Sequence, residues 1–274
     1  MVHLPSAVSG KTALEVASEA VEEAGTLLLE NVGDERQLTY KEGRANIVTD
    51  VDILVESKII NRLQSEYPDY NVLSEETAAI KNDSEYTWVI DPLDGTNNYV
   101  YGIPFFSVNL ALTYNDELLL GLTYDPWRKE LFVAEKEGGA WLNGQTISVS
   151  QRTTIEGSFV GCDMGYDAEA GARILEGVRN SWPQMCGLRI MGSAVLGLAY
   201  VACGRLDVYA HPYLYPWDVA SGILLVREAG GVVTDWQGKP SSVYDRQIAA
   251  GNDSVHRQFM KLMKGEMQLG FKWA

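Results

Sequence analysis

The spacing of apolar residues predicts two amphipathic helices in the first quarter of the chain. Residues 12–30 and residues 50–66 both place apolar side chains three or four positions apart, which is the repeat of one helix face. The mixed segment 38–48 between them contains Lys41 and is interpreted as a strand-turn-strand unit or a loop. The chain is therefore expected to begin with helices that pack against structure formed later.

The middle of the chain has the pattern of β-strands. Short turn sequences such as Asn115-Asp116 separate its apolar runs, which predicts an antiparallel meander. The predicted strands lie at residues 88–90, 107–114, 117–124 and 130–135. A second strand-rich region follows, but there strand-like and helix-like segments alternate, and this alternation favours an α/β layer.

A polar stretch at residues 148–156 separates the two patterns. We therefore predict two closely packed halves, residues 1–150 and residues 151–274, in a protein of the α/β (α+β) class. The hydrophobic share of 46% and the charged share of 22% are those of a globular protein with a sizeable core. No run of about 18 apolar residues is present, so no membrane span is expected.

The N-terminal residues lack a basic stretch followed by an apolar one, and the three cysteines lack metal-type spacing. A cytoplasmic location with reduced thiols is therefore expected. The formal net charge of −15 argues against a nucleic-acid partner, because phosphate backbones require clustered Lys and Arg. With only three histidines, a His-ligated zinc site or a Ser-His-Asp triad is not expected.

Four acidic groups follow or precede predicted elements. The most informative is Asp91 and Asp94, which end the apolar run Trp88-Val89-Ile90 and precede Gly95-Thr96, a sequence suited to a turn that opens a helix. The other three groups are Thr49-Asp50-Val51-Asp52, Ser74-Glu75-Glu76 and Trp217-Asp218. Taken singly, these have simple alternatives: a helix capping box, solvated glutamates at a strand end and an N-cap aspartate.

Taken together, the acidic groups predict a metal site. Oxygen-only ligands select Mg²⁺, Mn²⁺ or Ca²⁺ over zinc or copper. Crowded carboxylates raise one another's pKa, so such a cluster is costly without cations. Because backbone N–H groups at a helix start bind phosphate, a metal site at this turn indicates metal-assisted phosphoryl transfer or hydrolysis.

The residues Asp91-Pro92-Leu93-Asp94-Gly95-Thr96-Asn97-Asn98-Tyr99 resemble the signature of the inositol monophosphatase family of Mg²⁺-dependent, lithium-sensitive phosphatases. Trp217-Asp218-Val219-Ala220-Ser221-Gly222, continuing to Gly231, resembles its second signature. The resemblance covers roughly residues 12–260. It implies a layered α/β/α/β/α sandwich, usually a homodimer.

The resemblance also implies roles for individual residues. One metal would bind Glu75, Asp91 and the Leu93 carbonyl, a second would bind Asp91, Asp94 and Asp218, and a weaker third would lie near Glu75. Asp50 and Thr96, with Glu75, would orient and activate the attacking water. The substrate side would comprise Asp94, Gly95, Thr96, Ser193, Ala194, His211, Asp218 and Lys41, with the Gly95 and Thr96 N–H groups on the phosphate. Lys41 has the alternative of a solvated loop lysine.

The substrate is least determined by the resemblance. Inositol-preferring members carry a glutamate seven residues before the second-signature aspartate, where this chain has His211. His211 therefore either contacts the substrate or lines the rim of the site. We expect a Mg²⁺-dependent phosphomonoesterase with two or three ions, or Mn²⁺, acting on a small phosphorylated polyol or sugar, foremost inositol monophosphate. The alternatives are a fructose-1,6-bisphosphatase or dual enzyme, a histidinol-phosphatase, an adenosine 3′,5′-bisphosphate phosphatase, and a non-catalytic regulatory relative.

Overall fold

A computed structural model describes residues 4–33, 38–40 and 47–264. The helices in these ranges are α1 (Ala13–Glu30), α2 (Asp50–Glu66), α3 (Thr96–Val100), α4 (Ala168–Ser181), α5 (Ala194–Ala202), α6 (Ala220–Glu228) and α7 (Asp253–Met263). The strands that form the first half are β1 (Leu38–Tyr40), β2 (Ile47–Thr49), β3 (Asn71–Ser74), β4 (Tyr86–Asp94), β5 (Ser107–Tyr114), β6 (Glu117–Asp125), β7 (Glu130–Glu135), β8 (Gly139–Leu142) and β9 (Gln145–Thr146). Those of the second half are β10 (Phe159–Cys162), β11 (Gly187–Ile190), β12 (Val208–His211), β13 (Val232–Thr234) and β14 (Ile248–Gly251).

Helices α1 and α2 confirm the predicted amphipathic segments, and both begin with a capping box. At α1 the Thr12 side chain accepts from the Glu15 N–H while Glu15 accepts from the Thr12 N–H, and Thr49 and Asp52 do the same at α2. These reciprocal bonds satisfy N–H groups that a helix start otherwise leaves unpaired. Each helix buries one apolar stripe. None of the helices in the described ranges is both long and apolar enough to cross a membrane.

A seven-stranded sheet follows the order β3-β4-β5-β6-β7-β8-β9. Its pairs from β4 to β9 are antiparallel, which confirms the meander, while β3 joins β4 in parallel. In that parallel pair Ser74 lies opposite Ile90, so Glu75 and Asp91 both follow the last paired residues. The register of β4 against β5 shifts between Asp91 and Asp94, at the position of Pro92, which has no N–H to donate to the sheet.

A five-stranded sheet has the order β11-β10-β12-β14-β13. Strands β11, β10 and β12 are parallel, so their carboxyl ends meet at one edge of the sheet. Asp163, the loop beginning at Met191, and His211 therefore converge there. Ligands commonly bind outside the carboxyl ends of parallel strands, and this edge faces the acidic end of β4.

The elements form five layers, which confirms the predicted α/β/α/β/α sandwich. Helices α1 and α2 cover the outer face of the seven-stranded sheet, α5 and α6 lie between the two sheets, and α4 and α7 cover the five-stranded sheet. Three apolar clusters among the described residues pack the layers together, and they include the side chains of Trp88, Leu198 and Phe259. The division into halves near residue 150 stays a prediction. No helix or strand lies between Thr146 and Phe159 in the described chain.

Helix α6 begins later than the sequence predicts. The segment Pro216–Asp218 forms a 3-10 turn, and α6 starts at Ala220 with Val219 as its N-cap. Asp218 is therefore not the N-cap of α6; one of its carboxylate oxygens accepts a hydrogen bond from the Tyr215 N–H at 2.7 Å. The turn brings Asp218 to the edge of the seven-stranded sheet, where β4 ends.

Candidate active site

A cleft of about 580 Å³ opens between the acidic end of β4 and the carboxyl ends of β10, β11 and β12. Most of the residues expected at the site line it: Glu75, Asp91, Leu93, Asp94, Gly95, Thr96, Ser193, Ala194, His211 and Asp218. The cleft therefore unites residues from both halves of the chain. Lys41, also expected at the site, lies outside the described residues.

Three carboxylates form the centre of the cleft. Glu75, Asp91 and Asp218 each offer an oxygen, and these oxygens lie within 4.8 Å of one another. The parallel register of β3 and β4 places the first two side by side, and the 3-10 turn before α6 brings the third. Three convergent carboxylate oxygens suit a hard divalent cation such as Mg²⁺, which binds through one or two carboxylates together with water and phosphate.

The electrostatics of this cluster fit a cation. Burial raises the pKa of Asp91 well above its ordinary value, and the neighbouring charges of Glu75, Asp94 and Asp218 raise it further. Burial likewise raises the pKa of Asp94 to about 6, against the hydrogen bonds that the carboxylate accepts. A bound divalent ion supplies the positive charge that offsets both effects.

Asp94 has a different environment from the three central acids. Its carboxylate accepts from Ser193 Oγ at 2.5 Å, from the Ala194 N–H at 3.1 Å and from the Val195 N–H at 2.9 Å. Asp94 thus lies at the start of α5, where the helix dipole favours a negative charge. Ser193 and Ala194, expected on the substrate side, line the cleft and also hold Asp94 in place.

Thr96 pairs with Asp52 rather than with the expected Asp50. The Thr96 hydroxyl lies 2.9 Å from the Leu93 carbonyl oxygen and 3.2 Å from Asp52 Oδ1. Asp50 is the first residue of α2 and is exposed to solvent, whereas Asp52 is 1% exposed. The expected contact between Asp50 and Thr96 is therefore not formed, because Asp52, and not Asp50, lies on the buried face of α2. Burial raises the pKa of Asp52 to about 6.

Gly95 makes the tight turn between β4 and α3. Its φ of +90° lies in the left-handed region, and a Cβ added there would stand 2.9 Å from the Gly192 carbonyl oxygen. Only glycine fits such a position without strain. The turn that carries Asp94 and Thr96 therefore packs directly against the loop that precedes Ser193.

His211, the last residue of β12, lines the cleft and is 7% exposed. Its Nδ1 accepts from the Tyr213 N–H at 3.1 Å, so the proton of the neutral ring resides on Nε2. Burial lowers the pKa of His211 to about 3, and the ring is therefore uncharged at neutral pH. His211 offers the cleft a neutral hydrogen-bond donor.

Two features of the cleft had not been predicted. Asp163 accepts from the Met191 and Gly192 N–H groups and from the Tyr209 hydroxyl, so it fixes the loop that leads to Ser193. In addition, the stacked rings of Tyr215 and Trp217, 5.1 Å apart, form part of the wall. The position of Asp163 directly after a buried strand was a usable signal, but the pairing of its strand with β11 is not visible in the sequence.

Comparison with known proteins agrees with this fold. The model of the inositol monophosphatase family matches residues 11–268. The chain belongs to the inositol monophosphatase family. Members of this family are phosphoric monoester hydrolases, and the chain is one as well.

Individual relatives of the inositol monophosphatase family are similar over nearly their whole length. An inositol monophosphatase from Dictyostelium discoideum is 38% identical over 257 residues, which cover 91% of this chain and 94% of that protein. A fructose-1,6-bisphosphatase/inositol-1-monophosphatase from Thermotoga maritima is 34% identical and covers 91% and 95%. The crystal structure of the extragenic suppressor protein suhB from Bartonella henselae superposes with a TM-score of 0.89 at 36% identity, covering 93% of this chain and 99% of that one.

Added Mg²⁺ should stabilise this member of the inositol monophosphatase family, and the increase in Tm should be larger near pH 7.5 than near pH 5. The stability that a protonated Asp94 contributes is fully present below its ordinary pKa of 3.8 and is lost as the pH rises through about 6. Above that value Asp94 is charged, and its charge favours a bound cation. We therefore expect about 10 mM Mg²⁺ to raise Tm by several degrees near pH 7.5 and by much less near pH 5. Scanning calorimetry at both pH values measures this; equal shifts would contradict it.

Proposed function

We propose that this protein hydrolyses small phosphate monoesters, foremost inositol monophosphate, by direct in-line attack of water assisted by Mg²⁺. The observation that carries the proposal is the convergence of Glu75, Asp91 and Asp218 beside the Thr96–Asp52 pair in one cleft. Water and phosphate are the partners that Mg²⁺ retains when protein carboxylates hold it. The acidic net charge of −15 further favours a small substrate over nucleic acid.

Glu75, Asp91 and Asp218 would hold Mg²⁺, with the Leu93 carbonyl and Asp94 completing a set for two or three ions; Mn²⁺ suits the same ligands. When bound, the ions would lower the pKa of a coordinated water and neutralise charge on the phosphoryl group. Neither a histidine base nor a covalent nucleophile is required.

The Thr96–Asp52 pair would orient the attacking water. The Thr96 hydroxyl gives its hydrogen to the Leu93 carbonyl or to Asp52, so its lone pairs remain to accept a hydrogen from water. Asp52 is held in turn by the Thr49 side chain and N–H. We assign Asp52 the role that the family resemblance implied for Asp50, with Glu75 as the second acid that would act on the water.

The cleft suits a substrate with a single phosphate. Among its described lining residues there is no lysine or arginine that would bind a second phosphate group. Gly95 and Thr96 would contact the transferred phosphoryl, and His211 would donate from Nε2 to a hydroxyl of the leaving alcohol. Lys41 remains a predicted contact near the phosphate.

Replacement of His211 by alanine should weaken substrate binding and leave the chemical step nearly unchanged. One neutral hydrogen bond is worth about 1 kcal/mol, so we expect KM for inositol 1-phosphate to rise roughly fivefold. The control is His256→Ala, which removes a buried histidine bonded to Thr234 Oγ1 away from the cleft. That control should lower Tm with KM unchanged. A His211→Ala enzyme with wild-type KM would contradict the role given to His211.

One alternative has specific support. The relative from Thermotoga maritima is named for both fructose-1,6-bisphosphatase and inositol-1-monophosphatase, so dual specificity is the second candidate. Phosphate release should be measured on inositol 1-phosphate, fructose 1,6-bisphosphate, histidinol phosphate and adenosine 3′,5′-bisphosphate, with and without Mg²⁺. Release from inositol 1-phosphate that requires Mg²⁺ supports the proposal. Absence of release from every ester would favour a non-catalytic regulatory role.

We also retain two predictions about the protein in the cell. A homodimer is expected from the family resemblance, and sedimentation analysis of the purified chain would test it. A cytoplasmic location is expected from the sequence, and fractionation of the source cells would test it. Both are independent of the catalytic proposal.

A further inference from the structure

Helix α2 carries two buried acids one turn apart, Asp52 and Glu56. They share the face that also buries Val55 and Ile59. Asp52 contacts Thr96, as described above. Glu56 is fully buried at 0% exposure, and the activity proposed for the cleft leaves it without a role.

Glu56 makes hydrogen bonds to the two residues that flank Glu75 in the sequence. Glu56 Oε1 accepts a hydrogen bond from Ser74 Oγ and another from the Glu76 N–H at 2.9 Å. One carboxylate oxygen thus holds the residue before Glu75 and the residue after it. Because Ser74 also pairs with Ile90 in the sheet, these bonds fix Glu75 relative to Asp91.

A carboxylate such as that of Glu56 is an unfavourable side chain at a core position. Burial of a carboxylate is unfavourable unless its oxygens are well paired, and a packed apolar residue often serves stability better. Glu56 Oε2 has no hydrogen-bond partner among the described residues. The carboxylate therefore contributes order to the Ser74–Glu76 turn rather than stability to α2.

We propose that Glu56 is a positioning residue that holds Glu75 in the geometry required for cation binding; this rests on the proposed function, in which Glu75 binds metal. Partners that orient metal ligands typically change metal affinity by 10- to 100-fold when removed. The effect should appear in cation binding by the free protein, before any substrate is added.

The test is to titrate Mn²⁺ into the full chain without substrate. Binding is measured from the electron paramagnetic resonance signal of the free Mn²⁺. Glu56→Leu keeps the volume but removes the acceptor, and should raise the Kd for Mn²⁺ by at least about tenfold. Glu56→Gln keeps an acceptor oxygen and should stay within about threefold of wild type. Ser74→Ala removes one of the two hydrogen bonds to Glu56, so its Kd for Mn²⁺ should lie between those of Glu56→Gln and Glu56→Leu. This smaller change decides the question if Glu56→Leu does not fold.

Asp207 provides a matched control. It is a buried acid that likewise accepts from a serine hydroxyl, Ser150 Oγ, and from a backbone N–H, that of Phe159. It precedes β12, at the opposite end from His211. Asp207→Leu should lower Tm with the Kd for Mn²⁺ unchanged.

The outcomes separate this inference from the proposed function. Wild-type Mn²⁺ affinity in Glu56→Leu, or equal losses in Glu56→Leu and Asp207→Leu, would overturn the positioning role alone. If Glu56→Leu does not fold, a wild-type Kd for Mn²⁺ in Ser74→Ala would overturn the positioning role. Absence of Mn²⁺ binding by the wild-type protein would overturn the proposed function and this role with it.

Discussion

Asp91→Asn should reduce Mg²⁺-dependent phosphate release by at least about a thousandfold, because the ion's stabilisation of transition-state charge is worth several kcal/mol. Asp91 is 1% exposed and belongs to the central group with Glu75 and Asp218. The amide keeps an oxygen that can accept from the Leu93 N–H, so the turn should survive. Steady-state phosphate release at saturating Mg²⁺ measures the loss.

The stability of the same variant distinguishes a lost ligand from a damaged fold. Burial and the neighbouring acids raise the pKa of the Asp91 carboxyl, which means that they disfavour its charged form. Its replacement by a neutral amide should therefore leave the metal-free Tm unchanged or higher. The increase in Tm on adding Mg²⁺ should fall sharply. Near-normal turnover, or a large drop in the metal-free Tm, would contradict the assignment of Asp91 as a metal ligand.

Asp52→Asn should lower kcat by roughly a hundredfold or more, the usual contribution of a positioned acid–base group, while Asp50→Asn should stay within about twofold of wild type. Asp52 lies on the buried face of α2, beside Thr96. Asp50, two residues earlier, is exposed. The comparison is well matched because both changes remove one charge from the first turn of the same helix.

The stability of the two variants completes this comparison. Asp52→Asn keeps an oxygen for the Thr49 N–H but weakens the capping box, so a Tm decrease of a few degrees is expected. Thr96→Val should reproduce much of the loss in kcat. If Asp50→Asn lost activity and Asp52→Asn did not, the assignment taken from the sequence would be restored.

Much of the fold could be predicted from local patterns. The apolar repeats predicted both N-terminal helices, and turn residues between continuous apolar runs predicted β5, β6 and β7. Strand β14 was missed, since three of its four residues, Ala249, Ala250 and Gly251, are of types that are depleted in strands. Helix α6 was predicted to begin too early, because an aspartate before an apolar run is the usual form of an N-cap.

The acids of the cleft could be identified because each follows or precedes an apolar run, but their contacts depend on tertiary structure. Asp94 is held by residues about a hundred positions later, and no local pattern encodes that pairing. The contact of Thr96 with Asp52, and not with Asp50, could have been expected from the sequence. Asp52 shares helical spacing with Val55, Glu56 and Ile59, and this spacing places it on the buried face of α2.

The same spacing explains how one helix can organise two parts of the cleft. Asp52 and Glu56 lie at positions i and i+4, so they project from one face with Asp52 towards Thr96 and Glu56 towards the Ser74–Glu76 turn. A sheet alone would fix the register of Glu75 and Asp91 but not the direction of the chain after β3. In our account α2 supplies that direction.

The central claim is that Glu75, Asp91 and Asp218 form one divalent-cation site. Isothermal titration of Mg²⁺ or Mn²⁺ into the metal-free protein near neutral pH tests it most directly, with Asp91→Asn titrated in parallel. The account predicts saturable binding of two or more ions to the wild-type protein, and binding to Asp91→Asn that is at least about tenfold weaker with fewer ions bound. Identical isotherms for the two proteins, or no binding to either, would contradict it.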